Sequence, residues 1–572
     1  MTQAISFRPM IRLRRLLQVD KKDIWQVYVY ALLNGLVNLS LPLGIQAIIN
    51  LIQGGERSTA WVVLVLFVLL GIALTGIFQL LQLRIVENIA QKIFSRASFE
   101  FAFRIPRIQY KSLHNYYAPE LANRFFDTLT IQKGLPKILI DFSLAAFQII
   151  VGLIVLSLYH PFFIIFGVFL VALVYSFIVI TGPKGLKTSL EESKYKYKVA
   201  YWLEEIARTK LSFKLVHKPE ISLIKTNDSV TSYLNSRESH FRVLIMQFLN
   251  LIGFKVLISA GLLIIGSILV FEQQMNIGQF VAAEIIIILI ISSVEKLIKS
   301  LDSIYDVLTA LEKIGYVTDM TLDKDDGLKL EIPDHISLSV NDVKFHYPDS
   351  EKLILNKLSF DMPAGVSTVL MGSAGSGKST LLTLLSGINA ATEGVISFNG
   401  LALHSIDFNS LRQHIGFALS NNQIFYGSLL DNITMGRENV TTEKVIDAIK
   451  TVQLQSFLDS LPNGLNTELD PEASRIPRSA ANKIILARAI VSEPKLLILE
   501  DPLDHVPKEE KEVIIKQLTE NKAWSILITA VDPLWIKYIN RHIIMDKGSI
   551  ISDNLKSNNL SLIHISEPTR PY

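Results

Sequence analysis

Six long apolar runs before residue 295, a complete phosphate-loop pattern at residues 372–379 and a change from helical to β-rich patterning near residue 336 predict a multi-domain protein. Its first part is an all-α six-helix transmembrane domain. Its second is an α/β P-loop NTPase domain. A length of 572 residues leaves room for more than one domain. Charged residues make up 19%, below the about 25% of ordinary soluble domains, as expected when part of a chain lies in lipid. The net charge of +3 marks no nucleic-acid partner. The absence of cysteine excludes disulfides, thiolate metal sites and a cysteine nucleophile.

A helix needs about 20 mostly apolar residues to cross the hydrocarbon core. Ile24–Leu51, Trp61–Leu81, Ile138–Tyr159, Phe162–Thr181, Leu249–Phe271 and Ile277–Val294 meet that need. Spans one and two, three and four, and five and six are joined by short turns. Residues 82–137 and 182–248 form two long connections. Lysine and arginine gather in these connections, and the turns hold only Arg57. Positive charge marks the cytoplasmic side, so both termini and both long connections are predicted to be cytoplasmic. The connections keep helical periodicity, so they read as extensions of the membrane helices. Leu121–Asp127 is the expected first turn-back and the segment around Ser212–Lys214 the second.

Gly372-Ser373-Ala374-Gly375-Ser376-Gly377-Lys378-Ser379 follows a strand-like run and opens a helical one. That context is the one a phosphate loop requires. Glycines let backbone N–H groups surround phosphates, and the helix N-terminus adds its dipole. The cofactors expected are ATP and Mg²⁺, with Gly372, Ser373, Gly375, Gly377, Lys378, Ser379 and Thr380 on the nucleotide. Lys378 would reach the β- and γ-phosphates, and the Ser379 hydroxyl would ligate the metal. Downstream, Lys495–Leu499 is an apolar strand ending in Glu500 and Asp501. A strand-end acid is where such domains hold Mg²⁺, which makes Glu500 the second metal ligand.

These motifs, with Phe345-His346-Tyr347-Pro348 upstream and Ile484–Ala489 before the acidic strand, resemble the exporters of the ABC superfamily over residues 8–559. The likeness is greatest to bacterial type I secretion and bacteriocin exporters. It implies a half-transporter in the bacterial inner membrane that moves a peptide or lipophilic substrate. It implies work with a second half-transporter, as homodimer or heterodimer, and admits a periplasmic adaptor protein as a further partner. It divides the chain into a cytoplasmic elbow segment (1–23), a transmembrane domain (24–319), a linker (320–335) and an ATP-binding domain (336–559). Residues 560–572 resemble a translated sequencing adapter and are set aside. By the same resemblance Tyr347 stacks on the adenine.

The chain departs from the family's pattern where that pattern acts on the γ-phosphate. The signature Leu-Ser-Gly-Gly-Gln falls on Ile476-Pro477-Arg478-Ser479-Ala480. The Q-loop glutamine falls on Ser420, with Gln423 three residues on. The H-loop histidine falls on Val531 and the D-loop aspartate on Pro507. The paired acids are reversed, Glu500 then Asp501, which leaves Asp501 as a shortened general base. The expectation is an ATP-binding subunit with weak or absent hydrolysis. Its alternative is a non-hydrolysing regulatory or assembly protein on the same scaffold. In the membrane part, Glu284 is expected to line a cavity and Lys255 to snorkel to the inner interface. Asn34, Asn38 and Ser40 are expected to join helices.

Overall fold

The computed structural model describes residues 8–54, 59–113, 116–218, 220–323, 326–331, 334–348, 350–420, 423–470 and 476–555. Residues 560–572 lie outside them. Packing divides the chain into two units, residues 1–108 with 115–321 and residues 109–114 with 322–572.

In hydrocarbon every backbone polar group needs an internal partner, so an apolar run of this length becomes helix. The first unit accordingly holds α1 (Arg8–Val19), α2 (Lys21–Asn38), α3 (Ser40–Gln53) and α4 (Thr59–Arg104). The chain continues through α5 (Tyr110–Leu113), which belongs to the second unit, then α6 (Ala118–Asn123), α7 (Asp127–Pro136) and α8 (Ser143–Tyr159). It ends with α9 (Phe162–Arg208), α10 (Lys210–Lys214), α11 (Ile221–Phe271) and α12 (Ile277–Thr318). Six stretches among the described residues are long and apolar enough to cross a membrane. The shortest of α4, α9, α11 and α12 has 42 residues. That is about 63 Å of helix, about twice the thickness of the hydrocarbon core. The long connections are therefore continuous with the membrane helices.

The first turn-back lies earlier than the sequence suggests. Pro106 sits in a single tight turn after α4, and the short crossing helix is α5. Leu121, Arg124 and Asp127 are buried instead, because that stretch packs into the first unit. The second crossing helix, α10, falls where it is expected.

Polar side chains tie the membrane helices together. Asn34 donates to the Thr75 carbonyl at 3.1 Å, and Gln82 donates to the Val27 carbonyl at 2.9 Å. Ser293 donates to Gln148 at 3.0 Å. Gln247 reaches the hydroxyls of Thr181 and Tyr305 at 3.1 and 3.0 Å. Lys255 pairs with Glu295, which also meets Lys299 at 2.6 Å. Glu284 is half-buried and has no ion partner among the described residues.

The described residues of the second unit form three sheets, the smallest being the antiparallel pair β7 (Gly427–Ser428) and β8 (Glu468–Leu469). β1 (Leu338–Phe345), β2 (Leu355–Met362), β4 (Glu393–Phe398) and β5 (Leu401–Ala402) form an antiparallel sheet ordered β2-β1-β4-β5. The largest sheet is ordered β12-β11-β3-β10-β9-β6. Its strands are β3 (Thr368–Gly372), β6 (Ile415–Ala418), β9 (Leu496–Glu500), β10 (Ser525–Thr529), β11 (Arg541–Asp546) and β12 (Ser549–Leu555). All neighbours in it are parallel except β11 with β12. The apolar stretches Leu496–Leu499 of β9 and Ile526–Ile528 of β10 are unbroken because a parallel sheet is covered on both faces.

Close packing of the first unit generates a test. A Cβ on Gly185 would lie 2.4 Å from the ring of Tyr305, which is buried, whereas one on Gly253 would meet nothing within 4 Å. Gly185→Leu should destabilise the purified chain by about 1–3 kcal/mol. Gly253→Ala should stay within about 0.5 kcal/mol. Thermal melts in detergent read both, and equal effects would contradict the packing described.

Candidate nucleotide site

The site grows from the ends of parallel strands. β3 stops at Gly372, and the chain turns through Ser373–Gly377 into α13 (Lys378–Leu385). Gly377 holds φ at +99°, and a Cβ there would lie 2.7 Å from Leu355. A Cβ on Gly372 would lie 2.2 Å from the Met545 carbonyl oxygen. Both positions therefore demand glycine. A Cβ on Gly375 would meet nothing within 4 Å, so the outer face of the loop is open. The Lys378 ammonium donates to the carbonyls of Gly372 and Ser373 at 2.7 and 2.9 Å, and lies 3.3 Å from Ser376 Oγ. Ser373 and Ser379 are exposed at the rim. The Thr380 hydroxyl is 3.3 Å from that of Tyr347. Tyr347 stands edge-on to Phe345 at 5.0 Å.

Glu500 ends β9, one strand over from β10. Its Oε2 accepts from the backbone N–H of Ser420 at 3.0 Å and from the Ser420 hydroxyl at 2.8 Å. Asp501 follows at a φ of +40°. Its backbone N–H donates to the Thr529 carbonyl at 2.9 Å, and its Oδ1 accepts from the Val531 N–H at 3.0 Å. Loss of hydration around the carboxyl pushes the Asp501 pKa up, partly offset by the Val531 hydrogen bond. Burial also pulls the Lys378 ammonium down, offset by the charges of Asp501 and Glu500. Both acids thus act electrostatically on Lys378. The Val531 side chain is 85% exposed.

The signature positions stand apart from these strand ends in sequence. Pro477 caps α14 (Arg478–Ile490) without a side-chain hydrogen bond, and Pro477 and Arg478 are exposed. Ser479 is half-buried. Pro507 opens the helix Lys508–Glu520. Sequence reasoning missed the bracing of the Gln423 segment. Arg488 donates to the carbonyls of Gln423 and Asn432 at 3.0 and 2.7 Å. It also missed the hydrogen bonds that occupy the two acids, two from Ser420 to Glu500 and one from the Val531 N–H to Asp501, since a backbone N–H carries no residue signature and Ser420 stands where a glutamine is expected.

These groups suit a nucleoside polyphosphate. The loop offers a glycine turn with no room for side chains on its inner face, a cation and a helix N-terminus. Ser379 Oγ and the Glu500 carboxylate are oxygen donors fit for Mg²⁺, which takes few protein ligands and keeps phosphate oxygens and waters. Among the described residues no three His, Cys, Asp or Glu side chains gather for another metal.

Comparisons with known proteins agree with this geometry. Residues 25–294 match the ABC transporter transmembrane region, and residues 355–504 match the ABC transporter family model. The alpha-hemolysin translocation ATP-binding protein HlyB of Proteus vulgaris is 27% identical over 316 residues, 54% of this chain and 45% of its own length. An ATP-dependent lipid A-core flippase of Pseudoalteromonas atlantica is 26% identical over 322 residues, 55% of each chain. The chain thus spans about half the length of these curated relatives. The structure of a bacterial Atm1-family ABC exporter with ATP bound superposes with a TM-score of 0.79 at 16% identity, covering 93% of this chain and 95% of that one. With six membrane-length helices followed by this strand-end phosphate loop, the chain belongs to the ABC transporters, as a multi-pass membrane protein with an ATP-binding domain and the fold of an ABC exporter.

Proposed function

We propose that this chain is an ATP-binding subunit of an exporter in the bacterial inner membrane, with cytoplasmic termini and with weak or absent hydrolysis of its own. Tyr347, the loop Gly372–Gly377, Lys378, Ser379 and Thr380 bind the nucleotide, with Mg²⁺ held by Ser379 and Glu500. A second half-transporter, the same chain or another, completes the assembly. The cargo is a peptide or a lipophilic molecule, and the names of the two relatives support that pair. The transmembrane domain spans 24–319 and the ATP-binding domain 336–559.

The observation that carries this reading is the hydrogen bond from Val531 N–H to Asp501. A general base must reach the attacking water at about 2.6–3.2 Å. Asp501 is one methylene shorter than glutamate, and its Oδ1 is occupied by the backbone after β10. Val531 brings no proton carrier to the same place. Glu500, fixed by both donors of Ser420, keeps a carboxylate at the strand end for the metal. Binding groups are therefore present where catalytic groups are displaced. When bound, Mg²⁺ supplies charge neutralisation for the phosphates.

A second reading rests on Pro477 and Arg478, an exposed turn without the serine N–H and glycine of the family pattern. On that reading the chain is a regulatory or assembly protein that closes on ATP and does not turn it over.

Steady-state hydrolysis by the purified chain in lipid tests the proposal, beside a nucleotide-binding assay and with Lys378→Ala as control. ATP should bind to the chain and not to the control, and turnover should not exceed the control's. Turnover of about 1 s⁻¹ or more would sink the impaired-hydrolysis claim. Exchanging the acids and restoring the histidine (Glu500→Asp, Asp501→Glu, Val531→His) should raise turnover by about tenfold or more, since one positioned proton carrier is worth at least that.

A pH series addresses Asp501 separately. Its folded pKa is raised, so folding disfavours the charged form. The resulting loss of stability is absent below the unfolded pKa of about 4 and complete above the raised folded value. Asp501→Asn keeps the acceptor for Val531. It should raise the melting temperature at pH 8, by an amount that shrinks as the pH falls toward about 4. A gain that grows on acidification would contradict the burial of this carboxyl.

A further inference from the structure

The first unit holds a cluster of cations and tyrosines that nucleotide chemistry does not use. Arg124, just after α6, and Lys313, in α12, are each 8% exposed. Arg124 directs Nε and Nη2 to the carboxylate of Glu120 at 3.0–3.2 Å. Its Nη1 is buried with no acceptor among the described residues. Lys313 forms no ion pair or hydrogen bond among the described residues. Its ammonium lies 5.4 Å from the ring centre of Tyr197 and 5.5 Å from that of Tyr316. The Arg124 guanidinium faces the same two rings at 5.9 and 4.6 Å. Two buried cations therefore share one pair of rings. Asp127, whose charge also acts on Lys313, already accepts from the Tyr197 hydroxyl at 2.5 Å and lies 3.9 Å from Lys196.

Buried polar groups are normally hydrogen-bonded, and a buried charge without such bonds is costly. Ring faces attract a cation but accept none of its hydrogen bonds in the ordinary sense. Like charges on a shared pair of rings also repel. One kind of group relieves all three costs: an oxyanion with several acceptor oxygens, which guanidinium and ammonium side chains bind well. We propose that Arg124 and Lys313, walled by Tyr197 and Tyr316, form a binding site for a tetrahedral oxyanion of the inorganic phosphate class. Glu120, Asp127 and, acting on Glu120, Glu204 supply opposing charge. The site therefore suits a small anion and not a polyanion such as a nucleotide. Lys313 lies 36 residues beyond Ile277, the start of α12. That is about 54 Å along the helix, more than the about 40–45 Å of a whole bilayer. The ligand is accordingly a soluble anion and not a lipid headgroup.

Equilibrium dialysis of radiolabelled inorganic phosphate against the full chain in phospholipid-free detergent tests the assignment. Lys378→Ala serves as the parent, so that the nucleotide loop does not bind the probe. Phosphate should bind one site per chain and be displaced by sulfate but not by chloride at equal ionic strength. Lys313→Met on that parent should weaken binding at least about tenfold, the loss expected for one charged hydrogen bond. Lys313→Arg should retain it. Unchanged affinity in Lys313→Met, or no binding to the parent, would overturn the proposal. Phosphate binding absent in detergent, with Lys313-dependent binding of phosphatidylglycerol vesicles, would overturn the soluble-anion assignment. Should Lys313→Met fail to fold, phosphate must slow acetylation of Lys313 in the parent, mapped by mass spectrometry. No protection would likewise overturn the proposal.

Discussion

The nucleotide site depends on one constraint, the adjacent parallel pairing of β3, β10, β9 and β6. Parallel strands deliver their C-terminal ends to one edge of the sheet, where ligands of open α/β folds bind. Gly372, Ser420 and Glu500 stand at or just beyond such ends, and Val531 follows β10. A residue can therefore act on a neighbour far away in sequence through short bonds between strand ends. Ser420 meets Glu500 in this way, and Asp501 meets both Thr529 and Val531. The covered faces of the sheet make this edge rigid. Leu497, Leu499, Ile526 and Ile528 are all essentially buried. On the proposed reading this rigidity makes the loss of one methylene at Asp501 matter, because the strand has little freedom to move the carboxylate outward.

The membrane unit obeys a different constraint with the same consequence. Its backbone bonds are satisfied within each helix, so specific packing comes from small residues and the few polar side chains. Gly185 admits the Tyr305 ring, whose hydroxyl receives Gln247. His240, buried on α11, joins Thr188 on α9 at 2.8 Å and faces Asp302 on α12 at 3.4 Å. Helix α1 is fixed by Arg12, which pairs with Glu312 and with Asp319 at 2.6 Å. These bonds hold α1, α9, α11 and α12 in one register well beyond the apolar part of the spans.

Much of this was legible in the sequence, for physical reasons. Six spans declare themselves because hydrocarbon demands length and apolarity together. The phosphate loop declares itself because steric limits leave only glycine at Gly372 and Gly377. The first turn-back was misplaced at Leu121–Asp127 because a buried ion-pair cluster and an exposed crossing helix have similar composition. Only packing reveals that Arg124 and Asp127 face inward. The pairing of Lys255 was not legible because its partner, Glu295, lies on another helix, 40 residues away in sequence. The roles of Ser420 and of the Val531 N–H were not legible. One is a side chain unlike the residue expected there, and the other is a backbone group.

The central claim is that this chain holds ATP while its acids are turned to other work. An experimental structure of the full chain with ATP and Mg²⁺, after incubation long enough for many ordinary enzyme turnovers, tests that most directly. The account predicts an intact γ-phosphate, Glu500 at the metal and Asp501 still bonded to the Val531 N–H. A bound ADP would contradict it, as would an Asp501 carboxylate swung to within about 3 Å of a water in line with the γ-phosphate.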